Sequence, residues 1–199
     1  MQKVYIDFDG TLFDTDKLYE NFCVLCNKSD VTNIEIEQAR KQVVDEYGLY
    51  SLEKILTILE KKFIFNEDFN KDFAGLFSNK FVYSDVLVAL DKLAKNYELI
   101  ILTYSDMYQW QKIEASGLKK YFANIIVTDK KKHLLDTIDY KNSIFIDNRV
   151  EDLENFYKVG AKEVYRIRRK SDKYSNISLN IKQIKEYINF LDLVKEIKK

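Results

Sequence analysis

KVYIDFDG, residues Lys3–Gly10, is a short apolar run that ends in two acids and a glycine. Its residue types favour an extended chain, and the run predicts a strand over Lys3–Phe8. Asp7 and Asp9 stand two residues apart, so their side chains point the same way while the chain stays extended. Gly10 then allows a tight turn close beside them.

Working outward, the pattern changes at Asp16. Four amphipathic helices are predicted, over Lys17–Asn27, Ile34–Tyr47, Ser51–Lys62 and Asn66–Phe77. Ser51, for example, precedes Leu52, Ile55, Leu56 and Leu59, which share one helical face. From Asp85 onward, helices and strands alternate. Helices are predicted over Asp85–Asn96, Tyr108–Ser116, Lys131–Ile138, Glu151–Val159 and Asn180–Ile197. Strands are predicted over Glu98–Thr103, Asn124–Thr128, Ser143–Asp147 and Glu163–Ile167. Runs such as ELIILT and SIFID show no polar alternation, as strands buried on both faces require. The fold class is therefore α/β: a parallel, doubly wound sheet of about five strands by that alternation. The helical block at 16–80 interrupts the pattern and reads as an inserted cap, leaving 1–15 and 81–199 as the core domain.

The composition narrows the function classes. Hydrophobic residues make up 46% and charged residues 32%, an ordinary soluble globular balance. Lys+Arg and Asp+Glu are 32 each, so a net charge of zero gives no general attraction to nucleic acid or to an anionic membrane. No stretch is apolar enough to cross a bilayer, and no signal-peptide pattern precedes Lys3. Two cysteines do not make a disulfide framework, which points to a reducing, cytoplasmic setting. Monomer is the default expectation.

The predicted strands converge chemically at one end. They close on Asp7-Phe8-Asp9, Thr103, Thr128-Asp129 and Asp147. Open parallel sheets bind ligands at the carboxyl ends of their strands. Asp7 and Asp9 near Asp147 would repel one another, and a hard divalent cation with oxygen ligands resolves that repulsion. Mg²⁺ suits few carboxylates plus a substrate phosphate.

Asp7-Phe8-Asp9-Gly10-Thr11-Leu12 resembles the first motif of the haloacid dehalogenase-like (HAD) hydrolases. Thr103 resembles the second motif, a lysine among Lys130, Lys131 and Lys132 the third, and Asp147 with Asp152 the acidic fourth. Lys131 is preferred because Leu134 and Leu135 then fall where a helix buries its face. The resemblance implies a Rossmann-like sheet with a helical cap that closes over the site. The fourth and fifth strands would lie on one side of the first, and the second and third on the other. It further implies a Mg²⁺-dependent phosphatase acting on a small phosphorylated metabolite. Asp7 would become an aspartyl phosphate and Asp9 would act as general acid and base. Mg²⁺ would be held by Asp7, the backbone carbonyl of Asp9, and Asp147. Thr103 and Lys131 would bind the phosphoryl oxygens. Relatives that cleave carbon–halogen bonds lack an acid at the position of Asp9, so its presence favours phosphoryl chemistry. The alternatives on the same scaffold are a phosphomutase-type transfer and a non-catalytic phosphate-ligand binding protein.

Asn148 departs from the pattern, because many relatives carry a second acid there. Asn148 itself, or Asp152 and less readily Glu151, are the candidates to support the metal. Asp14 and Thr15 are hinge candidates. Cys23 and Cys26 read as buried thiols on a helix face, and His133 as a surface residue. Tyr104 is a candidate for the substrate entrance, while Tyr108 and Trp110 read as packing. Arg166, Arg168, Arg169 and Lys170 read as a solvated edge.

Overall fold

Six strands form one parallel sheet: β1 (Gln2–Ile6), β2 (Tyr97–Tyr104), β3 (Asn124–Thr128), β4 (Ile144–Asp147), β5 (Glu163–Ile167) and β6 (Lys185–Tyr187). Their spatial order is β3-β2-β1-β4-β5-β6, with every neighbouring pair parallel. The computed structural model describes residues 1–47, 51–104, 108–128, 131, 137–170, 172 and 174–197. The helices are α1 (Thr15–Asn27), α2 (Asn33–Tyr47), α3 (Leu52–Leu59), α4 (Glu67–Leu76), α5 (Val86–Leu93), α6 (Gln109–Ser116), α7 (Val150–Lys158) and α8 (Phe190–Ile197).

The chain divides into two compact units, one of Met1–Asp16, Val82–Ser105 and Gly117–Lys199, the other of Lys17–Phe81 and Asp106–Ser116. In the first, alternation along each strand sends Tyr5, Ile100, Leu102, Phe145 and Val164 to one face. There they form a core with Leu153 and Phe156 of α7. Tyr5 and Phe145 stack across neighbouring strands at 5.2 Å, and Phe156 stacks on Phe145 at 4.2 Å. Helices α5 and α8 pack on each other and bury Val86, Ala89, Leu90 and Leu93 of one and Phe190, Leu193, Val194 and Ile197 of the other.

The second unit is held by helix caps and an aromatic core. Thr32 and Glu35 form a reciprocal capping box at the start of α2. Ser51 caps α3, and Asn66 caps α4 by accepting from the Phe69 N–H at 2.8 Å. Phe73 packs on Phe22, Phe69, Phe77 and Tyr108 at centroid distances of 5.6–6.1 Å.

Three sequence expectations are corrected. The sheet has six strands, not about five. The long helix expected over Asn180–Ile197 is instead β6 followed by the short α8. Lys185-Glu186-Tyr187 lacks the apolar alternation that marks a strand, and it sits at the sheet edge, where pairing on one side suffices. Trp110 is not packed away, with 47% of its surface exposed. Of the helix expected over Lys131–Ile138, residues 132–136 lie outside the described residues, as does His133. Among the described residues no helix is long and apolar enough to cross a membrane.

Candidate active site

The parallel register places the acids side by side. Ile6 pairs with Ile101 on one side and with Ile146 on the other. Asp7 continues the ladder, donating its N–H to the Ile146 carbonyl at 2.9 Å. Asp7 and Asp147 therefore stand next to each other at the carboxyl ends of adjacent strands, both buried. The Lys131 ammonium lies between them, 2.6 Å from Asp7 Oδ1 and 2.6 Å from Asp147 Oδ2, and is itself buried. Of the three candidate lysines, Lys131 is the one placed in the site; Lys130 and Lys132 lie outside the described residues.

The remaining carboxylate oxygens are fixed as well. Thr11 Oγ1 donates to Asp7 Oδ2 at 3.1 Å, and the Arg149 N–H donates to Asp147 Oδ1 at 2.8 Å. Asp9 accepts from Thr15 Oγ1 at 2.6 Å. Thr15, a hinge candidate in the sequence, thus holds the carboxylate of Asp9.

The charges do not balance. Burial raises the Asp7 pKa, the neighbouring Asp147 raises it further, and Lys131 only partly opposes them; Asp9 adds a smaller upward push. The result is about 8, far above an ordinary carboxyl. Lys131, facing Asp147 and Asp7, is driven well above its ordinary value despite its burial.

Around this core lies a second set of groups. Tyr104, at the end of β2, donates its hydroxyl to Asp152 Oδ1 at 2.7 Å. Burial and the Asp152 charge hold that phenol above its usual range. The Lys131 ammonium and the Arg149 guanidinium both lie over its ring, at 5.1 and 4.7 Å. Asp152 is buried in the first turn of α7, and burial and Asp147 raise its pKa. Thr103 is buried one residue before Tyr104, in register with Val127.

Asn148 is turned toward a residue that no sequence motif singled out. Its Nδ2 donates to Asp172 Oδ2 at 2.7 Å, with both residues buried. Gly10 makes the fit possible. Its φ is +75°, and a Cβ built there would stand 2.2 Å from Asn148 Nδ2.

Half of the expected solvated edge is not solvated: Arg168 and Lys170 are exposed, but Arg166 and Arg169 are buried. Arg166 is fully buried and donates to the carbonyls of Asn148, Tyr174 and Ile177 and to Glu186. Arg169 is buried too, donating to the Thr11 carbonyl at 3.0 Å and to Asp85 at 2.8 Å, with its guanidinium 4.1 Å from the Tyr83 ring centre. Arginine can enter a core where its whole fork is answered by acceptors. Composition alone carries no sign of those partners, which arrive from distant parts of the chain. In the second unit, Cys26 is buried and its thiol pKa is pushed up to about 12 by burial.

No family profile matches the sequence, and no curated protein does. Solved structures match over nearly the whole chain. A protein from Burkholderia xenovorans, proposed to be a haloacid dehalogenase-like hydrolase, superposes with a TM-score of 0.77 at 17% identity, covering 98% of this chain and 95% of its own. This chain has the HAD-like fold. A HAD phosphatase from Thermococcus onnurineus gives 0.70 at 19% identity over 99% and 98%. A proposed HAD hydrolase from Bacillus subtilis, solved with magnesium bound, gives 0.66 at 14% over 100% and 99%. Haloacid dehalogenases share the HAD-like fold as well. The strand order agrees with the one the sequence resemblance implied, with β4 and β5 on one side of β1 and β2 and β3 on the other.

Proposed function

We propose that this protein is a Mg²⁺-dependent phosphatase that hydrolyses a small phosphomonoester through an aspartyl phosphate on Asp7. The observation that carries the reading is the buried Lys131 ammonium held at 2.6 Å from both Asp7 and Asp147, with Asp9 two residues from Asp7. That arrangement combines a carboxylate nucleophile, a fixed cation for phosphoryl oxygens and a neighbouring acid.

The donor set fits magnesium. Among the described residues no three acids, cysteines or histidines gather into a closed cage. Mg²⁺ does not need one, since it keeps several waters and takes one or two carboxylates plus substrate oxygens. Asp7 and Asp147 offer only oxygen, and Asp7, Asp9 and Asp147 outnumber the one ammonium among them. The raised pKa of Asp7 comes first from its burial and then from the Asp147 charge, which Lys131 only partly opposes. Asp7, Asp147 and the Asp9 carbonyl are the groups that would hold the ion. A divalent cation there supplies the positive charge that keeps Asp7 ionised and balances charge on the phosphoryl group.

The residues then divide the chemistry. Asp7 attacks phosphorus, and the bond from phosphorus to the leaving oxygen breaks. Asp9, oriented by Thr15, gives its proton to that oxygen. Asp9 next takes a proton from water, the water oxygen attacks phosphorus, and the bond to Asp7 breaks to release phosphate. Lys131, and Thr103 at the end of β2, bind the equatorial oxygens. The acid at position 9 favours this chemistry over dehalogenation.

The test is phosphate release from a panel of phosphomonoesters, with and without Mg²⁺, by wild type and Asp7→Asn. Metal-dependent release that disappears in Asp7→Asn is expected. Release that survives the substitution would remove Asp7 as nucleophile. No release by folded wild type would sink the phosphatase reading.

A further inference from the structure

We propose that Arg149 is a specificity-determining residue that binds a second anionic group on the substrate, a carboxylate or a second phosphate. The inference rests on the phosphatase reading for what the first group is. Arg149 directly follows Asn148, and its own N–H is fixed on Asp147 Oδ1 at 2.8 Å, so its backbone is tied to the site. Its guanidinium lies 4.7 Å from the ring centre of Tyr104 and 5.6 Å from that of Tyr174. The Tyr104 ring is pinned in turn by its hydroxyl on Asp152. The Lys131 ammonium also lies 5.1 Å from the centre of that ring, so both cations contact Tyr104.

The side chain is held by two loose ion pairs and by no side-chain hydrogen bond to a described residue. Only 29% of it is exposed, yet its guanidinium makes no hydrogen bond to any described residue. The nearest acids, Glu151 Oε2 and Asp152 Oδ2, are 3.7 Å away, beyond hydrogen-bonding distance. A guanidinium carries five donors in a planar fork that matches a carboxylate or phosphate. Long ion pairs leave those donors without direct hydrogen bonds, which is costly for a partly desolvated group, and an oxyanion arriving beside the phosphoryl group would answer them. The tyrosines fix the fork in advance, which lowers the ordering cost of binding.

The test uses three non-hydrolysable probes of matched length: propylphosphonate, 3-phosphonopropionate and 1,2-ethanediphosphonate. Calorimetric titration into wild type, Arg149→Met and Arg149→Lys reads binding without turnover. Wild type should bind at least one of the doubly anionic probes roughly tenfold or more tighter than propylphosphonate. Which probe gains tells carboxylate from phosphate. Arg149→Met, which keeps the apolar stem, should bring all three probes to similar affinity, and Arg149→Lys should recover part of the preference. The proposal is overturned if wild type binds the three alike or not at all, or if Arg149→Met weakens all three equally. Phosphate release from simple esters decides the phosphatase reading separately, so the two can fail independently.

Discussion

Asn148 and Asp172, 24 residues apart in the chain, meet through a buried hydrogen bond of 2.7 Å from Nδ2 to Oδ2. The position where the sequence resemblance implies an acid carries an amide, and an acid stands directly behind it. Tyr174 donates its N–H to the other oxygen of Asp172 at 3.1 Å, which fixes the carboxylate. Asn148 Oδ1 is buried and has no hydrogen-bond partner among the described residues. An amide is the group that can donate to Asp172 on one side and still offer an oxygen on the other.

This pairing predicts the outcome of restoring an acid. Asn148→Asp sets a carboxylate against the Asp172 carboxylate in a buried site and should cost about 3 kcal/mol, read by urea denaturation. Adding Asp172→Asn reverses the donor and should recover most of that loss. If Asn148→Asp alone proves as stable as wild type, the contact with Asp172 does not decide the residue at 148.

Gly10 is constrained from two directions. At φ +75° an L side chain is strained, and its Cβ would meet Asn148 Nδ2 at 2.2 Å, where real atoms cannot approach. Gly10→Ala should therefore lower stability by about 2 kcal/mol. Because Asn148 must also shift, calorimetry should find weaker Mg²⁺ binding in the variant. A variant that melts with wild type would show that the turn relaxes freely.

Arg169 is the tie between the first motif and the rest of its unit. It donates to the Thr11 carbonyl and to Asp85, and Asp85 also accepts from the Phe190 N–H at 2.6 Å. Thr11 in turn donates to Asp7. Arg169→Met leaves Asp85 buried beside an apolar chain and should cost roughly 3–5 kcal/mol in chemical denaturation. Adding Asp85→Leu should cost less than the sum of the single changes, since neither charge is then stranded. Strict additivity would mean that the pair does not couple.

The strands were legible because buried parallel strands are continuous apolar runs, with Asp7, Thr103 and Asp147 at or beside the ends of three of them; their order was implied only by the resemblance to HAD-like hydrolases. The arginines were not legible. Arg166 and Arg169 look like part of a solvated cluster with the exposed Arg168 and Lys170 until Glu186 and the carbonyls of 174 and 177 are brought to the one and Asp85 to the other. Asp172 was invisible for the same reason: its meaning lies in a contact with Asn148 that no local pattern encodes. Lys131 was preferred over its two neighbouring lysines only on helix patterning until the fold set it between two acids. Strand β6 was missed because Lys185-Glu186-Tyr187 is polar and the apolar spacing around it mimics a helix.

The buried acids give the metal-free protein an unusual pH response. Asp7 has its pKa raised to about 8, and Asp152 is raised as well, chiefly by burial and the Asp147 charge. A raised carboxyl binds its proton more tightly folded than unfolded, so the folded state holds more protons between about pH 4 and 8. Stability from these groups is complete below the ordinary carboxyl pKa and is lost as pH rises through the folded value. Lys131 does not alter this window, since its own raised pKa lies above it and its stabilising charge is lost only at still higher pH. Urea denaturation in chelator should thus show stability falling from pH 5 to pH 8. Asp7→Asn should flatten most of the slope, and Mg²⁺ added at pH 8 should restore stability to wild type by favouring the ionised acids. Stability that instead rises over this range would mean that Lys131 alone keeps Asp7 ionised, and the case for a charge deficit at the site would fall.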